Sequence, residues 1–127
     1  MPASSGTFVL GFLGKKCQHN IRKNWNLYLK EMNLNGFFDF YPTVTAADLE
    51  LRLAEMFLHH RLGYVVEEQL GKKIMKLLDR ISQAASKKGR VDTVVNERGV
   101  IVGHFFGGKD NKKTMERRLK LWLKKTK

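Results

Sequence analysis

The chain has 127 residues, a size that suits one domain with its own core but is short for two. Its 24 Lys and Arg against 12 Asp and Glu give a formal net charge of +12, which favours a polyanionic partner: nucleic acid, an anionic membrane face or an acidic protein. The single cysteine excludes an intrachain disulfide, no Cys/His cluster has zinc spacing, and no apolar run reaches the ~18–20 residues of a membrane helix. We therefore expect no metal, and a reducing intracellular compartment, mitochondrial or cytoplasmic.

The first half of the chain alternates between strand and helix patterns. The apolar run at residues 7–13 predicts a buried strand, and apolar residues at helical spacing predict a helix over 20–34. The aromatic run at 36–41 ends before a proline and predicts a second strand. Thr45 with Asp48 three residues later predicts the capped start of a second helix.

The second half continues the alternation and adds a hairpin. A third strand is predicted at 63–66 and a helix at 71–81. Two strands at 91–95 and 100–105 flank a tight turn, and a helix is predicted over 111–125. The pattern predicts an α/β fold in which a mixed sheet has helices on both faces, with the strand at 63–66 near the sheet centre and the hairpin toward one edge.

Residues 63–108 read GYVVEEQLGKKIMKLLDRISQAASKKGRVDTVVNERGVIVGHFFGG. This segment resembles the substrate-binding domain of shikimate dehydrogenase, where a strand reads roughly G-F-N-V-T-x-P-x-K, a helix ends L-L-D-x-[LI]-S, and the segments A-V-N-T-V and G-x-N-T-D-G follow. Weaker matches in the same order extend the resemblance over roughly residues 8–108. We expect residues 1–108 to form this domain and residues 109–127 to form a basic helical tail.

The resemblance implies that the family's polar site residues are replaced here. The general acid/base lysine corresponds to Gly71, its partner aspartate to Gly107, and the asparagine that holds substrate to Asp92. No glycine-rich dinucleotide fingerprint follows in the sequence, so we expect no nicotinamide or other cofactor and no catalytic residue. Phe105 and Phe106 stand where the family opens its substrate cleft, and together with Trp122 of the last helix they are the predicted partner-docking residues.

Basic residues are concentrated in three segments, 15–30, 72–90 and 109–127, whereas 39–68 is net acidic. Segregation of this kind is typical of a surface that contacts a polyanion. The predicted nucleic-acid-binding residues are Lys15, Lys16, Arg22, Lys23, Lys72, Lys73, Lys87, Lys88, Arg90, Lys112, Lys113, Arg117, Arg118, Lys124 and Lys125.

Together these features predict a non-catalytic basic protein that binds RNA or forms a structural subunit of a ribonucleoprotein assembly, of which a mitochondrial-type ribosome is one example. Two alternatives stay open. One is a small-molecule-binding remnant of a shikimate-pathway enzyme, and the other is a structural subunit of a different multiprotein complex.

Overall fold

The computed structural model describes residues 7–16, 19–107 and 111–125; within these ranges the side chains of His19 and Lys125 are not described. The strands are β1 (Phe8–Gly14), β2 (Gly36–Pro42), β3 (Arg61–Val66), β4 (Arg80–Ile81), β5 (Thr93–Glu97) and β6 (Val100–His104). The helices are α1 (His19–Glu31), α2 (Ala46–Leu58), α3 (Glu68–Ile74), α4 (Gln83–Lys88) and α5 (Lys112–Lys125), with a 3₁₀ turn at Met75–Leu77.

The strands form one mixed six-stranded sheet in the order β2-β1-β3-β5-β6-β4. β1 is parallel to both β2 and β3, β5 is antiparallel to β3 and β6, and the two-residue β4 is parallel to β6. The predicted mixed sheet and the central place of the strand at 63–66 are confirmed. The hairpin lies toward one edge, which β4 then extends by one short strand.

Helices cover both faces of the sheet, as predicted. On one face, α1 and α5 bury Trp25, Leu29, Leu119 and Trp122 against sheet side chains that include Phe38. On the other face, α2, α3 and α4 pack over a second core. Its buried members include Leu13, Leu49, Leu53, Met56, Tyr64, Leu70, Ile74, Ala85 and Ile101.

One predicted helix is wrong in its extent. The sequence indicated a helix over 71–81, but α3 ends at Ile74 and Leu78 already has extended backbone angles. Asp79 then binds the neighbouring strand, because its backbone N–H donates to the Ile101 carbonyl (2.9 Å) and its carboxylate accepts from the Ile101 N–H (2.8 Å). These hydrogen bonds to the sheet favour extended backbone after Leu77. The helical spacing of the apolar residues indicates which side chains are buried, but it does not fix the backbone conformation.

A side chain of α1 binds backbone groups on the outer edge of β2. Asn26 donates from its amide nitrogen to the Phe38 carbonyl and accepts at its amide oxygen from the Phe38 N–H, both at 2.8 Å. An edge strand with unpaired backbone groups invites pairing with another chain. Asn26 therefore removes one such pair of groups from the middle of this edge.

Candidate functional site

A cavity of about 410 Å³ opens at the carboxyl ends of β1 and β3. The chain leaves β1 toward one face of the sheet, through α1, and reaches β3 from the other face, through α2. Such a reversal creates a crevice at the strand ends, where open α/β sheets commonly bind ligands. Phe12, Val66, Glu67, Arg90 and Asp92 are among the residues that line it.

The buried carboxylate of this cavity is already engaged by the protein. Asp92 accepts hydrogen bonds from the backbone N–H groups of Phe106 (3.0 Å) and Gly107 (2.8 Å) and from the Thr93 hydroxyl (3.0 Å). The Arg118 guanidinium lies 3.3 Å from the same carboxylate and donates to the Thr93 hydroxyl at 2.8 Å. This arrangement ties α5 to the start of β5 and closes one wall of the cavity.

Arg118 is therefore not a nucleic-acid-binding residue, contrary to the sequence-based prediction. Its residue exposure is 4%, because the apolar stripe of α5 faces the sheet and carries Arg118 inward with it. The pairing of a buried guanidinium with a buried carboxylate avoids an uncompensated charge. No local signal indicated this partnership, since 26 positions separate the two residues in the sequence.

The prediction that Trp122 docks a partner is also wrong. The side chain is fully buried, its ring lies 5.3 Å from that of Trp25, and its indole N–H donates to the Val94 carbonyl at 3.0 Å. The ring occupies the space above Gly63, where a Cβ atom would overlap the indole. The apolar side of α5 is thus part of the domain core, so the division at residue 108 does not separate a tail from a packed unit.

The rings of Phe105 and Phe106 contact basic side chains, one of which, Arg90, lines the cavity. The Phe105 ring lies under Lys88 (5.5 Å) and Arg90 (5.0 Å), and the Phe106 ring lies under Arg117 (5.0 Å). Both rings are half-buried. Cation–π contacts of this kind hold positive charge at a fixed position. Docking of a partner at these rings stays a prediction, and that partner would meet the cations together with the rings.

The two glycines that the sequence resemblance assigns to the family's catalytic pair are structurally constrained. Gly71 lies inside α3 against the incoming β5 segment, and a Cβ atom there would lie 2.5 Å from the Val91 carbonyl. Gly107 has φ of +71°, a left-handed conformation that side-chain-bearing residues rarely adopt. The backbone has therefore adapted to glycine at both places.

The carboxylates at the end of β3 are held apart. Glu67 accepts a hydrogen bond from the Lys15 N–H at 3.3 Å, whereas the exposed Glu68 pairs with Arg90 at 3.2 Å. Each has its own partner, so the two do not form a closely coupled pair. The cavity consequently combines carboxylates and cations that are already bound to each other.

A second network of charges connects α2 with β3 away from the cavity. Arg61 donates to Glu55 at 2.7 Å and stacks 3.8 Å from the Tyr41 ring centre. Burial opposes ionisation of Glu55, but hydrogen bonds from Arg52 and Arg61 outweigh it and lower the pKa of this carboxyl. Burial raises the pKa of Tyr64 to about 12.

The exposed positive charge is concentrated on the α1–α5 side of the sheet. These two helices carry ten Lys and Arg, of which Arg118 is buried, against two Glu. On the opposite face, α2, α3 and α4 together carry five Lys and Arg against four Asp and Glu. α5 lies beside α1, since Lys112 pairs with Glu31 at 3.6 Å and Met115 lines a cavity with Tyr28. We call the exposed surface of these two helices the basic face.

The remaining predicted nucleic-acid-binding residues fall into three groups. Lys15 and Lys16 are exposed at the carboxyl end of β1. The exposed members on the basic face are Arg22, Lys23, Lys112, Lys113, Arg117 and Lys124. Those on α3 and α4 are Lys72, Lys73, Lys87 and Lys88, with Arg90 half-buried nearby; Lys125 lies in α5, and its side chain is outside the described part.

The chain is similar in sequence to two bacterial enzymes. It is 29% identical over 111 residues to the NADP⁺-dependent shikimate dehydrogenase of Alkaliphilus oremlandii, covering 87% of this chain and 38% of that protein. It is 30% identical over 108 residues to the corresponding enzyme of Caldanaerobacter subterraneus, covering 82% of this chain and 37% of that protein. No protein-family model matches the chain.

Solved structures give the same result for the fold. The shikimate 5-dehydrogenase of Listeria monocytogenes, in complex with shikimate and NAD, superposes with a TM-score of 0.70 at 25% identity over 77% of this chain and 34% of that chain. The chain contains a shikimate dehydrogenase-like substrate-binding domain. A 5-ketofructose reductase of Gluconobacter shares the fold, with a TM-score of 0.71 at 17% identity over 77% of this chain and 35% of that chain.

The shikimate dehydrogenase-like chain spans somewhat over a third of the length of the curated relatives it matches. Within residues 7–16, 19–107 and 111–125, no helix is long and apolar enough to cross a membrane. The same part of the chain holds no group of three or more His, Cys, Asp or Glu residues that could bind a metal ion.

Proposed function

We propose that this shikimate dehydrogenase-like domain is non-catalytic and binds RNA phosphates through its basic face, as a subunit of a ribonucleoprotein assembly. The observation that carries the proposal is the way α5 packs. Its apolar stripe is buried in the core, so Lys113, Arg117 and Lys124 lie exposed on the outer side of a packed helix. Lys23 and Lys30 of α1 add to the same face. A group of exposed cations on one surface suits phosphate contacts with little sequence readout.

An exposed aromatic ring at the margin of this face favours nucleic acid over an acidic protein. Phe37 is 40% exposed on the edge strand β2, and the Arg22 guanidinium lies 5.8 Å from its ring centre. Bases stack on exposed rings, and guanidinium groups contribute to that stacking. The neighbouring Phe38 is fully buried, so Phe37 is the ring of this pair that is open to a ligand.

The proposal that the domain lacks dehydrogenase activity is supported by Gly71 and Gly107. If these positions correspond to the family's lysine and aspartate, both members of the proton-transferring pair are absent. We expect no oxidation of shikimate with either nicotinamide cofactor. Turnover above the rate of a heat-denatured control would contradict this.

Restoring the pair should fail for a structural reason. A lysine at position 71 would place its Cβ atom against the Val91 carbonyl, and an aspartate at position 107 would adopt a strained φ. We therefore expect Gly71→Lys to destabilise the domain without activating it, as followed by thermal unfolding.

RNA binding is tested by the salt dependence of affinity. Fluorescence anisotropy with a labelled single-stranded RNA should show log affinity falling linearly with log salt. The variant Lys23→Gln, Lys30→Gln, Lys113→Gln, Arg117→Gln should reduce the slope by up to ~3 units if all four side chains touch phosphate, at ~0.7 per contact.

A matched variant removes the same charge elsewhere. Lys72→Gln, Lys73→Gln, Lys87→Gln, Lys88→Gln lowers the net charge equally but leaves the basic face intact. We expect it to change the slope by less than one unit. Equal effects of the two variants would show that binding follows net charge and not this face, and no RNA binding at low salt would refute the proposal.

The cavity at the carboxyl ends of the strands favours one alternative, a small-molecule-binding remnant. Its volume of about 410 Å³ would suit a small anion, which would take the place of the exposed Glu68 as the partner of Arg90. Isothermal titration with shikimate and with inorganic phosphate tests this. Saturable binding that is lost in Arg90→Gln, in a protein that does not bind RNA, would favour the remnant over the RNA-binding domain.

A further inference from the structure

Helix α2 has more apolar surface than its packing uses. Leu49, Leu53 and Met56 are buried against the sheet. On the opposite side of the helix, Leu51 is 51% exposed and Leu58 is 74% exposed. A helix that is apolar on both sides is ordinarily covered on both sides.

The outward side of α2 forms a single row of alternating small and large residues. Ala47, Leu51, Ala54 and Leu58 are all exposed and follow the spacing i, i+4, i+7 and i+11. Residues at this spacing lie above one another along one face of a helix. The row is therefore a straight ridge about 16 Å long, from a rise of 1.5 Å per residue.

This row is complementary to itself. If two copies of α2 pack antiparallel about a two-fold axis midway between Arg52 and Leu53, Leu58 of one copy faces Ala47 of the other, and Leu51 faces Ala54. Large side chains then fill the space left by small ones across the whole contact, as close packing requires. We propose that this row binds α2 of a second copy of the chain in this antiparallel register.

The charge distribution selects a second copy over other occupants. Two molecules of formal charge +12 repel each other least where the positive charge is lowest, and α2 carries one Arg against Asp48, Glu50 and Glu55. The same carboxylates disfavour an anionic membrane surface. The acidic side of α2 could also attract the basic face of a neighbour, but α5 has its own apolar stripe buried and offers no apolar partner for the row.

The dimer places the two basic faces outward, because α2 packs on the sheet face opposite α1 and α5. Under the proposed function, one dimer could then contact two RNA segments. The contact itself is small, since a pair of 13-residue helices buries far less than the ~800 Å² per partner of a standard interface. We therefore expect a weak, concentration-dependent dimer.

The register is tested with a size swap, using sedimentation velocity on the full chain without RNA over a concentration series. Leu58→Ala should weaken the dimer about tenfold, because it leaves a void at two symmetric places. Ala47→Leu should weaken it similarly by opposing two leucines. The double variant Ala47→Leu, Leu58→Ala restores a large residue opposite a small one and should recover most of the affinity.

Two controls make the outcome decisive. Leu27→Ala removes a leucine that is 52% exposed on α1 and should leave the dimer unchanged. Added salt should not weaken the α2 contact, because screening reduces the repulsion between the two positively charged molecules. In the competing head-to-tail arrangement, α2 of one copy binds the basic face of another, and added salt should weaken that attraction. A chain that stays monomeric at every concentration, or a double variant no better than the single ones, would overturn the proposal, and neither result bears on RNA binding.

Discussion

Replacement of Trp122 by alanine should show that α5 is part of the folded core. The side chain is fully buried between Trp25 and the sheet and donates a hydrogen bond to the Val94 carbonyl. A buried aromatic side chain removes about 150–250 Å² from water, which corresponds to about 4–6 kcal/mol at ~25 cal/mol per Å². Measured Trp-to-Ala costs of about 3–5 kcal/mol agree with this, so we expect a loss of about 4 kcal/mol in the free energy of unfolding.

Such a loss is large against a typical domain stability of about 5–15 kcal/mol. Urea unfolding followed by far-ultraviolet circular dichroism should give a lower midpoint with a similar slope, and the melting temperature should fall by roughly 10–20 °C. If the alanine variant does not fold, Trp122→Phe retains most of the ring volume and should lose only about 1–2 kcal/mol.

An exposed position on the same helix serves as the control. Lys120→Ala removes a side chain that is 76% exposed and pairs with Glu116 at 3.2 Å. Its cost should stay below about 0.5 kcal/mol. A Trp122→Ala variant within about 1 kcal/mol of the unaltered chain would refute the packing of α5, and the basic residues of the helix would then belong to a solvated extension.

Three further predictions follow from buried polar groups. Arg118→Met should cost about 3 kcal/mol by leaving the Asp92 carboxylate buried without its cation, and adding Asp92→Asn should recover part of that cost in urea unfolding; full additivity would contradict the ion pair. The pKa of Tyr64 is about 12 in the folded chain and about 10 in the unfolded chain, so the unfolded chain loses this proton first and the free energy of unfolding should fall by about 2–3 kcal/mol between pH 10 and 12. Tyr64→Phe should lessen that fall when urea unfolding is measured across this pH range. Asn26→Ala should cost about 1–2 kcal/mol and increase aggregation measured by light scattering, because Phe38 then presents an unpaired N–H and carbonyl at the sheet edge; unchanged scattering would contradict its protective role.

Much of the secondary structure could be predicted from local sequence. Thr45 and Asp48 form the capping box that their spacing indicated, and the last helix begins one residue after its predicted start. The fold class followed from the order of strands and helices, and the resemblance to shikimate dehydrogenase agrees with sequence and structural relatives. These features depend on periodicity and short motifs, which involve only residues close together in the sequence.

The candidate site depended on contacts between distant segments. The sequence showed that α5 has a basic side and an apolar stripe, but the stripe alone could suit the sheet, a partner or a membrane. Gly63 decided the outcome, because only a residue without a side chain leaves room for Trp122 on the sheet, and this packing brings Arg118 to Asp92. Local sequence thus determined the elements and their charge, whereas the tertiary structure decided which cations remain exposed, because burial depends on volume and charge supplied from elsewhere in the chain.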